Sequence, residues 1–167
     1  MTNATQTAQT VQVYRVYIKA TPEAVWAAIT TPEWSQRYGY GGHVEYDLRP
    51  GGAFRALTSD EMRASGAPEV AIDGEVLEAD PPRKLVLSWR MVMDETMAAE
   101  GFTRLTYEIK EGVGGVTTLT LVHDLTNAPA LGALLAGEME DQGAGGGWSW
   151  VLSDLKTVLE TGKPMAG

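Results

Sequence analysis

The feature that most constrains this chain is a change in hydrophobic period along its length. From Val11 to Asp124 apolar residues alternate with polar ones in short runs, whereas Trp148, Val151, Leu152, Leu155, Val158 and Leu159 recur at helical spacing. Alternation sends successive side chains to opposite faces of a strand, and a spacing of three or four gathers them on one side of a helix. The chain therefore reads as several half-buried strands followed by one long amphipathic helix, which can bury its stripe only against the sheet. Gly162 and Pro164 supply the stop for that helix.

The earlier elements follow from local signals. Residues 11–19 (VQVYRVYIK) read as a first strand, with Tyr14, Val16 and Ile18 on one side. Thr21 offers a capping oxygen, Pro22 fits the first helical position, and Val25, Trp26 and Ile29 form an apolar stripe. Thr31-Pro32 breaks that helix and starts a second short one carrying Trp34 and Tyr38. Glycines 39, 41, 42, 51 and 52, with Pro50, punctuate strands over 44–48 and 53–58, and 59–69 reads as an exposed loop. Strands over 70–78, 84–93, 103–110 and 116–124 follow, separated in part by Asp80-Pro81-Pro82 and by Gly112–Gly115. A shorter apolar helix spans 130–139, and 143–147 is a glycine-rich joint. The expected class is α+β: a curved antiparallel sheet of six to seven strands wrapped around the C-terminal helix, with two short helices after the first strand. Residues 1–10 read as a flexible tail and 11–167 as a single domain.

Charge and composition exclude several function classes. Thirteen Lys and Arg against 22 Asp and Glu give a net charge of -9, which repels nucleic-acid phosphates and anionic membranes. No apolar run approaches the roughly 20 residues that cross a bilayer. The polar start, without basic or apolar stretches, argues against a secretory signal, and zero cysteines fit a reducing compartment, so the expected location is the cytoplasm. Two histidines far apart and no cysteine offer no zinc spacing, so neither metal nor cofactor is expected. The glycines at 143–147 lack the strand and the Lys-Ser/Thr of a phosphate loop, and Gly147-Trp148-Ser149 does not complete a nucleophile elbow. No catalytic constellation is recognisable.

Four segments in order carry a resemblance: VYIKATPEAVWAAITTPE (16–33), GEVLEADPPRKLVLSW (74–89), LTLVHD (119–124) and WVLSDLKTVLETGKPM (150–165). With these the chain resembles the START-like superfamily of polyketide cyclases and birch-pollen-allergen-like proteins. Within it, the chain is similar to the activators of the large heat-shock chaperone ATPase and their bacterial homologues. The resemblance implies a helix-grip fold with a cavity for lipids, sterols, polyketides or other hydrophobic ligands. The chain departs from bacterial relatives at Tyr38-Gly39-Tyr40-Gly41-Gly42, where those often carry an aromatic pair with Trp. A more mobile pocket mouth and a different ligand are the consequence.

Alternation places Leu85, Leu87, Trp89, Met91 and Met93 on one face, Leu105, Tyr107 and Ile109 on the next strand, and Leu119, Leu121 and His123 on the one after. His123 has two readings: a core histidine satisfied by the protein, or a group that binds a ligand or works as acid or base on a carbonyl substrate. It is the named candidate for catalysis, with a tyrosine hydroxyl as the alternative proton-transfer group; His43, in a glycine-rich turn, reads as solvated. Five Trp, six Tyr and seven Met against two Phe favour side chains suited to a pocket wall, with ordinary core filling as the competing explanation. Trp26 reads as structural. By face and by family position the candidate lining is Trp34, Tyr38, Tyr40, Tyr46, Phe54, Trp89, Met91, Tyr107, His123, Trp148 and Leu152, around a pocket of roughly 300–1,000 Å³. Glu75, Glu78, Asp80, Asp94 and Glu95 read as solvated surface.

The function expected is binding of a small hydrophobic or aromatic molecule between sheet and C-terminal helix. A cyclase, aromatase or hydrolase acting on a polyketide-like substrate is one alternative, and a chaperone-associated or stress-response module is another. The apolar helix over 130–139 serves pocket closure or a homodimer contact in these readings.

Overall fold

The computed structural model describes residues 10–143 and 145–166; the expected tail, residue 10 apart, lies outside the described residues. Seven strands form one antiparallel sheet: β1 (Val11–Ile18), β2 (His43–Tyr46), β3 (Ala53–Leu57), β4 (Val70–Asp80), β5 (Lys84–Met91), β6 (Thr103–Glu111) and β7 (Thr117–Asp124). Their order across the sheet is β1-β7-β6-β5-β4-β3-β2, so the first strand lies beside the last. Helices α1 (Pro22–Thr30) and α2 (Pro32–Ser35) carry the chain from the β1 edge to the β2 edge. From there the strands meander back. The C-terminal helix α6 (Trp148–Thr161) packs on the sheet, giving the α+β helix-grip arrangement.

Strand register sorts the residues onto faces. Leu121 lies opposite Tyr14 and Tyr107, Leu105 opposite Leu87 and His123, and Leu87 opposite Val76. Ile18, Leu85, Leu87, Leu105, Leu119 and Leu121 are fully buried, each contributing about 1.5–3 kcal/mol by leaving water. A bulge between Val76 and Glu78 admits one extra residue into β4 and bends the sheet there. Just before the bulge, β4 requires glycine: a Cβ on Gly74 would stand 1.8 Å from the Ser88 carbonyl oxygen. Helix starts follow the expected chemistry, with the Thr21 hydroxyl accepting from the Ala24 N–H at 3.1 Å. Gly162, at φ 82, ends α6 by donating its N–H to Val158.

Several local expectations need correction. The segment 59–69 holds a short helix, α3 (Asp60–Ala64), because Ser59 accepts from the Met62 N–H. Likewise Asp94 is not a free surface carboxylate but caps α4 (Glu95–Ala99), accepting from the Met97 N–H, so β5 stops at Met91 and leaves Met93 exposed. Tyr38 follows α2 rather than riding on it. The apolar helix, α5 (Pro129–Leu135), ends four residues before Met139, ahead of Gly137 with its φ of 83. Asp154 is not among the six apolar positions that define the stripe of α6, yet it is only 3% exposed. No described helix is long and apolar enough to cross a membrane.

Candidate functional site

The inner face of the sheet mixes fully buried residues with a few that are only partly buried. Around β6 and β7, Leu105, Leu119, Leu121 and His123 have no exposed surface. On the same inner face Tyr46 of β2, Ala56 of β3, Met91 of β5 and Tyr107 of β6 remain only partly buried, interspersed with buried Phe54 and Val76. Tyr107 makes the contrast sharpest. Its sheet neighbours Leu85, Leu105, Ile109 and Leu121 are exposed by 5% or less, whereas Tyr107 itself is only partly buried.

Three partly buried phenols pack against the core. Tyr38 reaches it from the loop after α2 and donates its hydroxyl to the Ala28 carbonyl at 2.9 Å. Tyr46 stacks on Phe54 with centroids 4.8 Å apart. Burial raises the pKa of all three, and Tyr46 is pushed further by Tyr107 and Tyr38 and Tyr38 by Tyr107 and Asp154. All three therefore remain protonated donors at ordinary pH.

The loop that carries Tyr38 is clipped to α6. The carboxylate of Asp154 accepts from the Gly39 N–H at 2.8 Å and from the Met165 N–H at 2.7 Å, joining the loop and the C-terminal segment to one helical residue. Tyr40, by contrast, is 49% exposed and accepts from the Gly147 N–H at 3.2 Å, so it braces the start of α6 from outside. The guanidinium of Arg37 covers the ring of Trp34 at 4.4 Å. Val151, which meets Gly39, is a partly buried residue that composition could not single out.

His123 sits in a closed hydrogen-bond chain. The Trp148 indole N–H, which can only donate, points at His123 Nδ1 from 3.1 Å. The imidazole proton is therefore on Nε2 and is donated to Thr103 Oγ1 at 2.7 Å, while that hydroxyl donates to the Trp89 carbonyl at 2.8 Å. Burial lowers the His123 pKa to about 3 against a smaller opposing pull from Asp124. With no exposed surface and both nitrogens engaged, the ring ties β5, β6, β7 and α6 together and offers a ligand no free atom. Trp89, Trp148, Leu152 and Phe54 are likewise nearly inaccessible core residues. His43 opens β2 with its Nδ1 3.0 Å from Gln36 Nε2.

Two recesses open elsewhere. A groove of about 490 Å³ runs between β1 and α5, lined by Gln12, Val13, Tyr14, Gly132 and Ala136 among others. A second of about 670 Å³ crosses the outer face near Arg15, Tyr17, Arg83 and Lys110. None of the aromatic candidates lines either one. Helix α5 packs against β1: Gln12 donates its amide N–H to the Gly132 carbonyl at 2.8 Å, and its amide oxygen accepts from the Tyr14 hydroxyl at 2.8 Å. Among the described residues no group of three or more His, Cys, Asp or Glu could hold a metal ion.

Comparisons with known proteins agree with this architecture. Residues 19–160 match the family described as Activator of Hsp90 ATPase homolog 1-like protein. CalU16 from Micromonospora echinospora superposes with a TM-score of 0.60 at 24% identity, over 93% of this chain and 77% of that one. The HSP90 activator PFC0360w from Plasmodium falciparum gives 0.63 at 23% identity, over 90% and 96%. The Aha1 dimer from Colwellia psychrerythraea, solved in solution, gives 0.60 at 17%, over 93% and 99%. At these identities the likeness is one of fold. A search of curated proteins returns no match.

Proposed function

The chain belongs to the family of Activator of Hsp90 ATPase homolog 1-like proteins, and from that premise we infer that it binds a small hydrophobic or aromatic molecule between the sheet and α6. The observation that carries this reading is the partial exposure of Tyr107 on an inner face whose neighbouring residues are exposed by 5% or less. An inner-face side chain that keeps accessible surface leaves room for a guest, and apolar walls with a few polar groups suit small-molecule recognition. Binding is favoured over turnover because His123 has no ring nitrogen to spare and the phenols are held away from ionisation. The direct test is native mass spectrometry of freshly purified protein with extraction of what co-purifies, followed by titration with the recovered compound. A stoichiometric apolar compound supports the reading; failure of recovered compounds and of a panel of apolar aromatics to bind removes it.

Self-association is a second reading, favoured by one observation. β1 is an edge strand, and Val13 and Tyr17 on it are more than half exposed at 57% and 56%. A relative of the same fold is a dimer in solution. An apolar edge of this kind fits a second copy. Sedimentation of the wild type and of Val13→Lys tests it: a dimer lost in the variant supports the reading, and a monomeric wild type at high concentration removes it.

A further inference from the structure

Resting on the self-association reading above, the hydrogen-bond pattern of β1 selects how a second copy docks. Residues of an antiparallel strand turn their backbone groups alternately toward and away from the neighbouring strand. Thr10 accepts from the Leu125 N–H, so Gln12, Tyr14, Val16 and Ile18 turn theirs to β7, and Val13, Arg15 and Tyr17 turn theirs to the open edge. One end of that edge is closed by α6: Lys156 donates to the Tyr17 carbonyl at 2.8 Å, and Glu160 accepts from the Lys19 N–H at 2.8 Å. Among the described residues the N–H and C=O of Val13 and Arg15 have no partner in the chain, and the recess between β1 and α5 lies beside Val13.

We infer that two copies join β1 to β1 antiparallel about a two-fold axis at Tyr14, so that Val13 of each copy pairs with the partner's Arg15. Every unpaired N–H and C=O of Val13 and Arg15 is then bonded, and the two sheets become one. The same register sets Val11 opposite the partner's Tyr17 on the outer face, a β-branched side chain against an aromatic one, and so covers the exposed apolar residues Val11, Val13 and Tyr17. Neighbouring registers do worse. A slide one way puts Arg15 directly opposite the partner's Arg15 and calls on the Tyr17 carbonyl that Lys156 already holds. A slide the other way carries Tyr17 past the start of the partner strand. Charge favours this edge for a second copy: β1 holds one charged residue, Arg15, and no carboxylate, so two chains of net charge -9 meet there without acid facing acid.

The chain has no cysteine, so introduced ones report the register directly. Full-length Val13→Cys and Arg15→Cys, both at exposed positions, are oxidised under mild conditions, each alone and as an equimolar mixture. In this register the two positions face each other with Cα atoms about 5.5 Å apart, within disulfide reach, whereas each lies about 7–8 Å from its own counterpart. The mixture should therefore join about half of its dimers, the share that random exchange makes mixed, and either variant alone almost none. In wild type, hydrogen exchange at the Val13 and Arg15 amides should slow about tenfold or more as concentration rises through the dimerisation range, which reads the same pairing without a substitution. If Val13→Cys alone or Arg15→Cys alone joins fastest, the strands pair in another register and the inference falls. If wild type sediments as a dimer while no combination cross-links and both amides stay unprotected, the inference falls and self-association stands. A wild type that stays monomeric at high concentration removes both.

Discussion

The indole N–H of Trp148 donates to His123 Nδ1 over 3.1 Å, and this contact fixes the imidazole as the Nε2–H tautomer. Protonating Nδ1 would set two donors against each other in a site with no exposed surface. Burial lowers the ring's proton affinity, and the same enclosure between sheet and α6 gives it its structural role.

That burial predicts a pH dependence. An unfolded chain binds the His123 proton with an ordinary pKa near 6.5, and the folded chain only near about 3. The stability contributed by the neutral ring is therefore whole above pH 6.5 and is lost as pH falls toward 3, by up to about 1.4 kcal/mol per pH unit. Urea unfolding across that window, in wild type and in His123→Gln, checks it. The variant should show a shallower slope, and equal slopes would remove the assignment.

Asp154→Asn should loosen the loop that carries Tyr38. An amide keeps one acceptor for the N–H groups of Gly39 and Met165 but turns a donor toward the other. We expect a loss of about 1–3 kcal/mol and faster hydrogen exchange at the Gly39 amide. Unchanged exchange would show that the clip does not hold the loop.

Gly74→Ala should be among the most damaging single substitutions. The added methyl would overlap the Ser88 carbonyl at the β4–β5 ladder, where both partners are backbone. We expect a loss above about 3 kcal/mol, seen as a large fall in Tm or as insoluble protein. A variant as stable as wild type would mean that the ladder yields there.

How much of this was readable beforehand depends on the kind of signal. Strict alternation exposed the inner faces of β5, β6 and β7, and the six apolar positions of α6 announced its stripe, because both rest on geometry repeated along the chain. Asp154 was missed because a buried carboxylate is satisfied by two backbone N–H groups that arrive from distant segments, and nothing beside it in sequence announces them. The same limit applied to Tyr40. It shares its composition signal with Tyr38 two residues earlier, yet the intervening Gly39, at φ 66, turns the chain so that one ring is taken inward and the other stays outside. Short helices α3 and α4 hid because one cap and one turn leave too few residues for a period to show. His123 was placed on the right face by alternation, while its partners Thr103 and Trp148 come from other elements.

The account rests on a guest entering beside the partly buried residues of the inner face, and nuclear magnetic resonance of methionine methyls and tyrosine rings during titration with a small apolar aromatic compound locates it most directly. The account predicts saturable shifts at Met91, Tyr46 and Tyr107, with Met62 on the exposed α3 unmoved. Shifts confined to the groove between β1 and α5, at Tyr14, or no saturable shift anywhere, would contradict it.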